Sequence, residues 1–167
     1  SYVRLWSDVL NPELDGKVAP SLGGAHLGVE PDIYTKPVEF FKRTLVTRQM
    51  ADILENAVNV LLERGGHKVT LLLSLFGGGK THTLLTLYHA IRNSPALLEA
   101  KAEDSEVKGR LRRLAEDLSR VGEARVAVLD GTYSQLAPTP ANPLLVGGYR
   151  IQTLWGSLAY QLGRFEE

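Results

Sequence analysis

The chain has 167 residues, 44% of them apolar, with 19 basic and 19 acidic side chains and no cysteine. That length supports one domain with its own core, while the even charge balance supplies no overall positive field to gather DNA, RNA or an anionic membrane. The missing cysteines exclude disulfides and thiolate-bound metals, no apolar run approaches the roughly 20 residues that span a bilayer, and no signal segment opens the chain; the reading is a cytoplasmic protein that does not enter a membrane.

Residues 1–37 are rich in proline, glycine and isolated apolar side chains and read as an irregular N-terminal arm, with one short helix expected at Tyr2 to Leu10 and Trp6 as its anchor. The domain proper is expected over 38–167. Glu39 to Phe41 and Leu45 lead into a helix from Arg48 to Arg64, with Thr47 as its N-cap and Gly65 as its stop. Its apolar positions, Met50, Ile53, Leu54, Ala57, Val58, Leu61 and Leu62, recur at steps of three and four and mark one buried face.

Val69 to Leu75 reads as a strand buried on both faces, and Thr81 to Arg92 as a helix. Between them stands Ser74-Leu75-Phe76-Gly77-Gly78-Gly79-Lys80-Thr81, which meets the last three positions of the phosphate-binding pattern G-x-x-x-x-G-K-[ST] and has serine where its first glycine would be. At a strand-to-helix turn the free N–H groups of Gly77 to Thr81 converge, and the positive end of the helix dipole favours an anion there. Lys80 is expected to reach the β- and γ-phosphates as the catalytic cation, and the Thr81 hydroxyl to ligate the accompanying Mg²⁺. The competing structural reading is a glycine turn that only joins strand to helix. His82 and His89, seven residues apart, share a face of that helix and read as packing or solvent contacts, since metal ligation needs them closer.

Asn93-Ser94-Pro95 stops this helix, and another runs from Glu106 to Arg120 with Val107, Leu111, Leu114 and Leu118 on one side. Its cations Lys108, Arg110, Arg112 and Arg113 are interleaved with carboxylates, so a solvated face is the better reading than a nucleic-acid surface. Arg125 to Asp130 reads as a second buried strand. Asp130 is either a carboxylate that organises Mg²⁺ or a polar residue at a strand end; Gly131 follows it, so no adjacent carboxylate is in place to activate water. Residues 132–148 form an irregular loop, and a last helix is expected from Arg150 to Leu162, burying Ile151, Leu154, Trp155, Leu158, Ala159 and Leu162, with Gly163 as its stop. The fold class is α/β, a P-loop NTPase with a parallel sheet flanked by helices.

Several segments together carry a family resemblance. Trp6 to Leu10 with Leu14 to Lys17, Glu39 to Thr44 with Thr47 to Met50, Phe76 to His82 with Leu84 to His89, and Thr153 to Gly156 with Leu162-Gly163 resemble the N-terminal region of the large P-loop ATPases catalogued as domain-of-unknown-function family 499 and counted in the AAA+ superfamily. The resemblance implies a partial AAA+-like domain cut from a longer protein. It implies a nucleotide site over Phe76, Gly77, Gly78, Gly79, Lys80, Thr81 and His82, with ATP and Mg²⁺ as cofactors. It also implies that the magnesium-organising strand comes after Glu167, which weakens the metal reading of Asp130. Members are often encoded beside DNA methyltransferases in modification or phage-defence clusters, which points to DNA and a methyltransferase as partners through the longer protein; a homo-oligomer is compatible with this.

Three functions follow from these residues. The first is the ATP-binding portion of a motor acting on DNA. The second is a nucleotide-dependent switch or assembly platform with little hydrolysis. The third, a small-molecule kinase, lacks an arginine-rich lid over the transferred phosphate. Arg125, Arg150 and Arg164 are candidate arginine fingers, with solvated or helix-capping roles as the better reading for each.

Overall fold

Side-chain caps at the helix starts and one short parallel strand pair decide where the helices lie. The computed structural model describes residues 20–73, 79–122 and 124–163; the helix read at Tyr2 to Leu10, the loop from Ser74 to Gly78 and Arg164 lie outside the described residues. In chain order the elements are α1 (Leu22–Leu27), α2 (Asp32–Thr35), α3 (Pro37–Arg43), β1 (Leu45–Val46), α4 (Arg48–Leu61), α5 (Lys80–Arg92), a 3-10 segment (Ser94–Glu99), β2 (Lys101–Ala102), α6 (Ser105–Arg120), β3 (Leu144–Val146), β4 (Tyr149–Ile151) and α7 (Leu154–Leu162).

β1 and β2 pair in parallel, Leu45 opposite Lys101 and Val46 opposite Ala102. The pairing continues at its edges, where the Lys101 N–H donates to the Thr44 carbonyl at 2.9 Å and the Glu103 N–H to the Val46 carbonyl at 3.1 Å. Because each strand runs directly into a helix, α4 and α6 start together. Ion pairs then hold them side by side in parallel: Arg48 with Asp104, Arg110 with Asp52 and Glu55, and Arg64 with Asp117. Such pairs near the surface contribute little stability, because water and salt screen them; their value here is alignment.

The stabilising mass is apolar. Phe40 and Phe41 of α3, Val46 of β1, Met50, Ala51, Leu54 and Val58 of α4, Leu85 of α5, Leu97, and Val107, Leu111, Leu114 and Leu118 of α6 belong to one cluster. Each fully buried side chain of this size contributes about 1.5–3 kcal/mol. The expected face of α6 is therefore core, and so are Met50, Leu54 and Val58 of α4, but Ile53 and Ala57 are half-buried outside the cluster, Met50 and Ile53 border a cleft rather than serving as core alone, and Leu61 is exposed. Glu63, in a left-handed conformation, turns the chain out of α4 before Gly65.

His89 is buried in this core with its Nε2 2.8 Å from the Tyr34 carbonyl oxygen. The Phe40 ring lies between His82 and His89, at 4.9 and 5.0 Å between centroids. Of the two readings left open by their spacing, packing or solvent contact, both histidines pack. The arm reading of 20–37 needs amending in one respect: α1 packs on α5, and Ala25 belongs to the core.

Residues 69–73 and 124–130 are not strands among the described residues. Each of the two sheets has two strands, β1–β2 and the antiparallel hairpin β3–β4, and neither stretch belongs to them. Val69, Leu71 and Leu73 are 86%, 76% and 82% exposed. A strand needs a neighbour to satisfy its backbone, and none of the described residues supplies one. In the second stretch a side chain takes that part: the Gln161 carboxamide accepts from the Val128 N–H at 2.8 Å and donates to the Val128 carbonyl at 2.9 Å.

The last helix also starts later than expected, because Arg150 and Ile151 belong to β4, which pairs across the Gly147-Gly148 turn. Ile151 is buried, but Leu154, Ala159, Leu162 and Trp155, the last 81% exposed, are on the surface rather than in the core, and Leu158 is half-buried.

Burial holds the pKa of His89 below its ordinary value, with Arg92 adding to the shift and the Tyr34 carbonyl opposing it; burial does the same at His82. The unfolded chain therefore binds protons more readily than the folded one as the pH falls below about 6.5, and stability declines there. We expect the thermal midpoint to fall between pH 7 and pH 5, and to fall less steeply in His89→Gln; an identical slope in the variant would refute the assignment.

Candidate functional site

The longer helices differ at their first turns. Thr47 accepts from the Met50 N–H at 3.3 Å, Asp104 from the Val107 N–H at 2.8 Å, and Thr153 from the Gly156 N–H at 3.0 Å, so α4, α6 and α7 are each closed by a side-chain oxygen. α4 is closed twice, since Glu103 also accepts from the Arg48 N–H at 2.8 Å. α5 begins on Gly79, which has φ of 75° and no side-chain acceptor to offer. Glycine reaches this left-handed geometry without the strain other residues meet. The consequence is a thirteen-residue helix whose positive end is not neutralised by its own cap.

That end opens on a cleft of about 380 Å³. Gly79, Lys80, His82 and Thr83 line one side, Thr47, Gln49, Met50 and Ile53 of α4 the other, with residues 71–73 between them. The Thr83 and Thr86 hydroxyls are spent on carbonyls one turn back, those of Gly79 and His82. The Thr81 hydroxyl, on the same turn, makes no such bond among the described residues. The first turn of α5 therefore carries Lys80 at the cleft, the Thr81 hydroxyl beside it, and a helix start with no side-chain cap among the described residues.

Of the residues singled out in the sequence, Gly79, Lys80 and His82 border the cleft and Thr81 lies on the same turn; Phe76, Gly77 and Gly78 lie outside the described residues. His82 has two contacts at once, its ring on Phe40 and its edge at the cleft.

Asp130 is engaged elsewhere. Its carboxylate accepts from the Gly23 N–H at 3.1 Å and from the Thr132 N–H at 3.0 Å. A Cβ on Gly23 would stand 2.5 Å from Asp130 Oδ2, so glycine is needed for the approach. Next to this contact Ser21 Oγ meets Tyr133 Oη at 3.1 Å and donates to Glu30 at 3.3 Å. Asp130 is thus a clasp between α1 and the turn at 130–136. Among the described residues no three His, Asp or Glu side chains are grouped to hold a metal. Arg125 donates to the Leu162 carbonyl at 2.7 Å and caps α7, in line with its capping role, while Arg150 lies exposed on β4.

The sequence model of the family described as DUF499 N-terminal domain matches residues 1–167. The chain belongs to this family. No curated protein and no solved structure gives a significant match.

What sequence reasoning missed in this DUF499 domain is the far wall of the cleft. Met50 and Ile53 follow the core periodicity of α4, and Thr47 its capping pattern, so nothing in their spacing marked a site; their one signal is that Thr47 to Met50 carries part of the family resemblance. Asp130→Ala should lower stability by about 1–3 kcal/mol, through loss of a charge-assisted acceptor for two N–H groups. Chemical denaturation measures it, and a midpoint equal to that of the parent would refute the clasp.

Proposed function

We propose that this DUF499 domain is the ATP-binding portion of an AAA+-type ATPase that serves a DNA modification or phage-defence system. The observation that carries the reading is the start of α5 at the cleft, which has no side-chain cap among the described residues and carries Lys80 and Thr81 on its first turn. ATP with Mg²⁺ supplies a triphosphate whose charge must be met. Gly77 to Gly79 would let the backbone approach it, Lys80 would neutralise the β- and γ-phosphates, and the Thr81 hydroxyl would hold the metal. The apolar Met50 and Ile53 are suited to the faces of a base, and the Gln49 amide to its polar edge. His82 packs on Phe40 and so stiffens the turn that carries Lys80.

A second reading, a nucleotide-dependent switch with little hydrolysis, draws support from the engagement of Asp130 with Gly23 and Thr132, which takes the carboxylate nearest to the expected pattern out of metal binding. In the motor reading the acidic residues for hydrolysis come from the longer protein. The two readings diverge in turnover, since a motor hydrolyses faster when DNA is added.

Lys80→Ala should weaken Mg-ATP binding at least tenfold by calorimetry, with inorganic tripolyphosphate affected in parallel because the lysine acts on the phosphates. Unchanged binding in this variant would end the proposal. Residues 1–167 alone should bind Mg-ATP weakly and turn it over at the background rate, while the longer protein assayed with and without double-stranded DNA separates motor from switch.

A further inference from the structure

A second groove, of about 670 Å³, runs between the 3-10 segment and α6 and shares no lining residue with the cleft at α5. Leu97, Leu111 and Ala115 form its buried floor, and Leu98 projects from its wall, 55% exposed. The charges of α6 sort by side. Arg110 is tied to Asp52 and Glu55 and Arg120 to Asp117. Lys108 and Arg112, one turn apart on the groove rim, have no carboxylate within ion-pair distance among the described residues.

Along α6 the lining runs from Lys108 to Ser119, about 16 Å at 1.5 Å per residue. That is the length of roughly three helical turns, longer than a compact small molecule uses. Glu116 follows Arg112 by one turn on the same rim, so the rim is cationic at its Lys108 end and acidic at its Ser119 end. An apolar trough with two such cations along one end of its edge complements an amphipathic helix whose apolar stripe is flanked by carboxylates.

We propose that this groove docks a short acidic amphipathic helix of a partner protein, its apolar side chains on Leu98 and over the Leu97–Leu111 floor, its carboxylates on Lys108 and Arg112. Leu98 is the anchor, because it is the groove's largest apolar side chain left open to solvent. The rim charges select the partner and set its direction along α6.

The test uses a fluorescein-labelled peptide with leucines at helical spacing i, i+3, i+4 and i+7 flanked by glutamates, its twin with lysines in place of the glutamates, and dodecanoate as a competitor. The acidic peptide should bind saturably by fluorescence anisotropy, at least tenfold more tightly than the lysine twin and more weakly as salt is added. Lys108→Glu with Arg112→Glu should reduce its affinity at least tenfold, and Leu98→Asp likewise, with the far-UV spectrum and thermal midpoint of each variant unchanged. These three residues are exposed, so the variants are expected to fold. Equal binding of the two peptides, indifference to the substitutions, no saturable binding, or capture of dodecanoate in place of the peptide would each overturn the proposal.

Discussion

The four residues of the parallel pair, Leu45-Val46 against Lys101-Ala102, set the constraint on which the rest of the arrangement depends. So short a ladder contributes little energy of its own. What it does is bring the starts of α4 and α6 to one level, so that Glu103 closes the first turn of α4 and Asp104 closes that of α6 while holding Arg48. With the two helices aligned, their apolar faces meet over most of their length, and the cluster around Leu54, Val58, Leu111 and Leu118 becomes continuous.

α5 is added to that pair by aromatic packing. Phe40 and Phe41 enter from α3, with Phe40 between the imidazoles of His82 and His89 and Phe41 edge-on to His89. The cost of burying two imidazoles is offset by keeping them neutral, with a carbonyl partner for His89 at Tyr34 and the depressed pKa values that follow. Fixed in this way, the start of α5 faces the start of α4 and the cleft lies between them. One of those helix starts is closed by Thr47 and Glu103, the other by a glycine that cannot close it. The electrostatic asymmetry of the cleft arises from this difference.

Much of this was legible in the sequence. The helices α4, α5 and α6 lie within a few residues of their expected bounds, because amphipathic periodicity and caps such as Thr47 are local properties that survive any tertiary context. The spacing of the two α5 histidines spoke against a metal site but left packing and solvent contact open, and a helix-capping charge is one of the two ordinary roles for Arg125. The strands fared differently. Val69 to Leu73 and Val126 to Asp130 have the composition of buried strands, yet composition does not provide a neighbour, and burial of a strand is a property of the sheet around it. Trp155 and Leu154 illustrate the same limit from the side of a helix: they follow an apolar rhythm, but the hairpin β3–β4 delays the start of α7 and leaves only Ser157 of that helix fully enclosed.

The sequence by itself determined the pattern on which the proposed phosphate site rests, since Gly79-Lys80-Thr81 is contiguous and its chemistry lies in the residue types and their order. It also determined the buried faces of α4 and α6, because a 3.6-residue repeat points side chains in one direction regardless of what they meet. Only the tertiary structure decided what stands across from Lys80, namely Gln49, Met50 and Ile53, and where the carboxylate of Asp130 is spent. Apart from the local bond from the Thr132 N–H, these juxtapositions join residues 27 to 107 positions apart in the chain, set by how helices stack, and no local pattern encodes them.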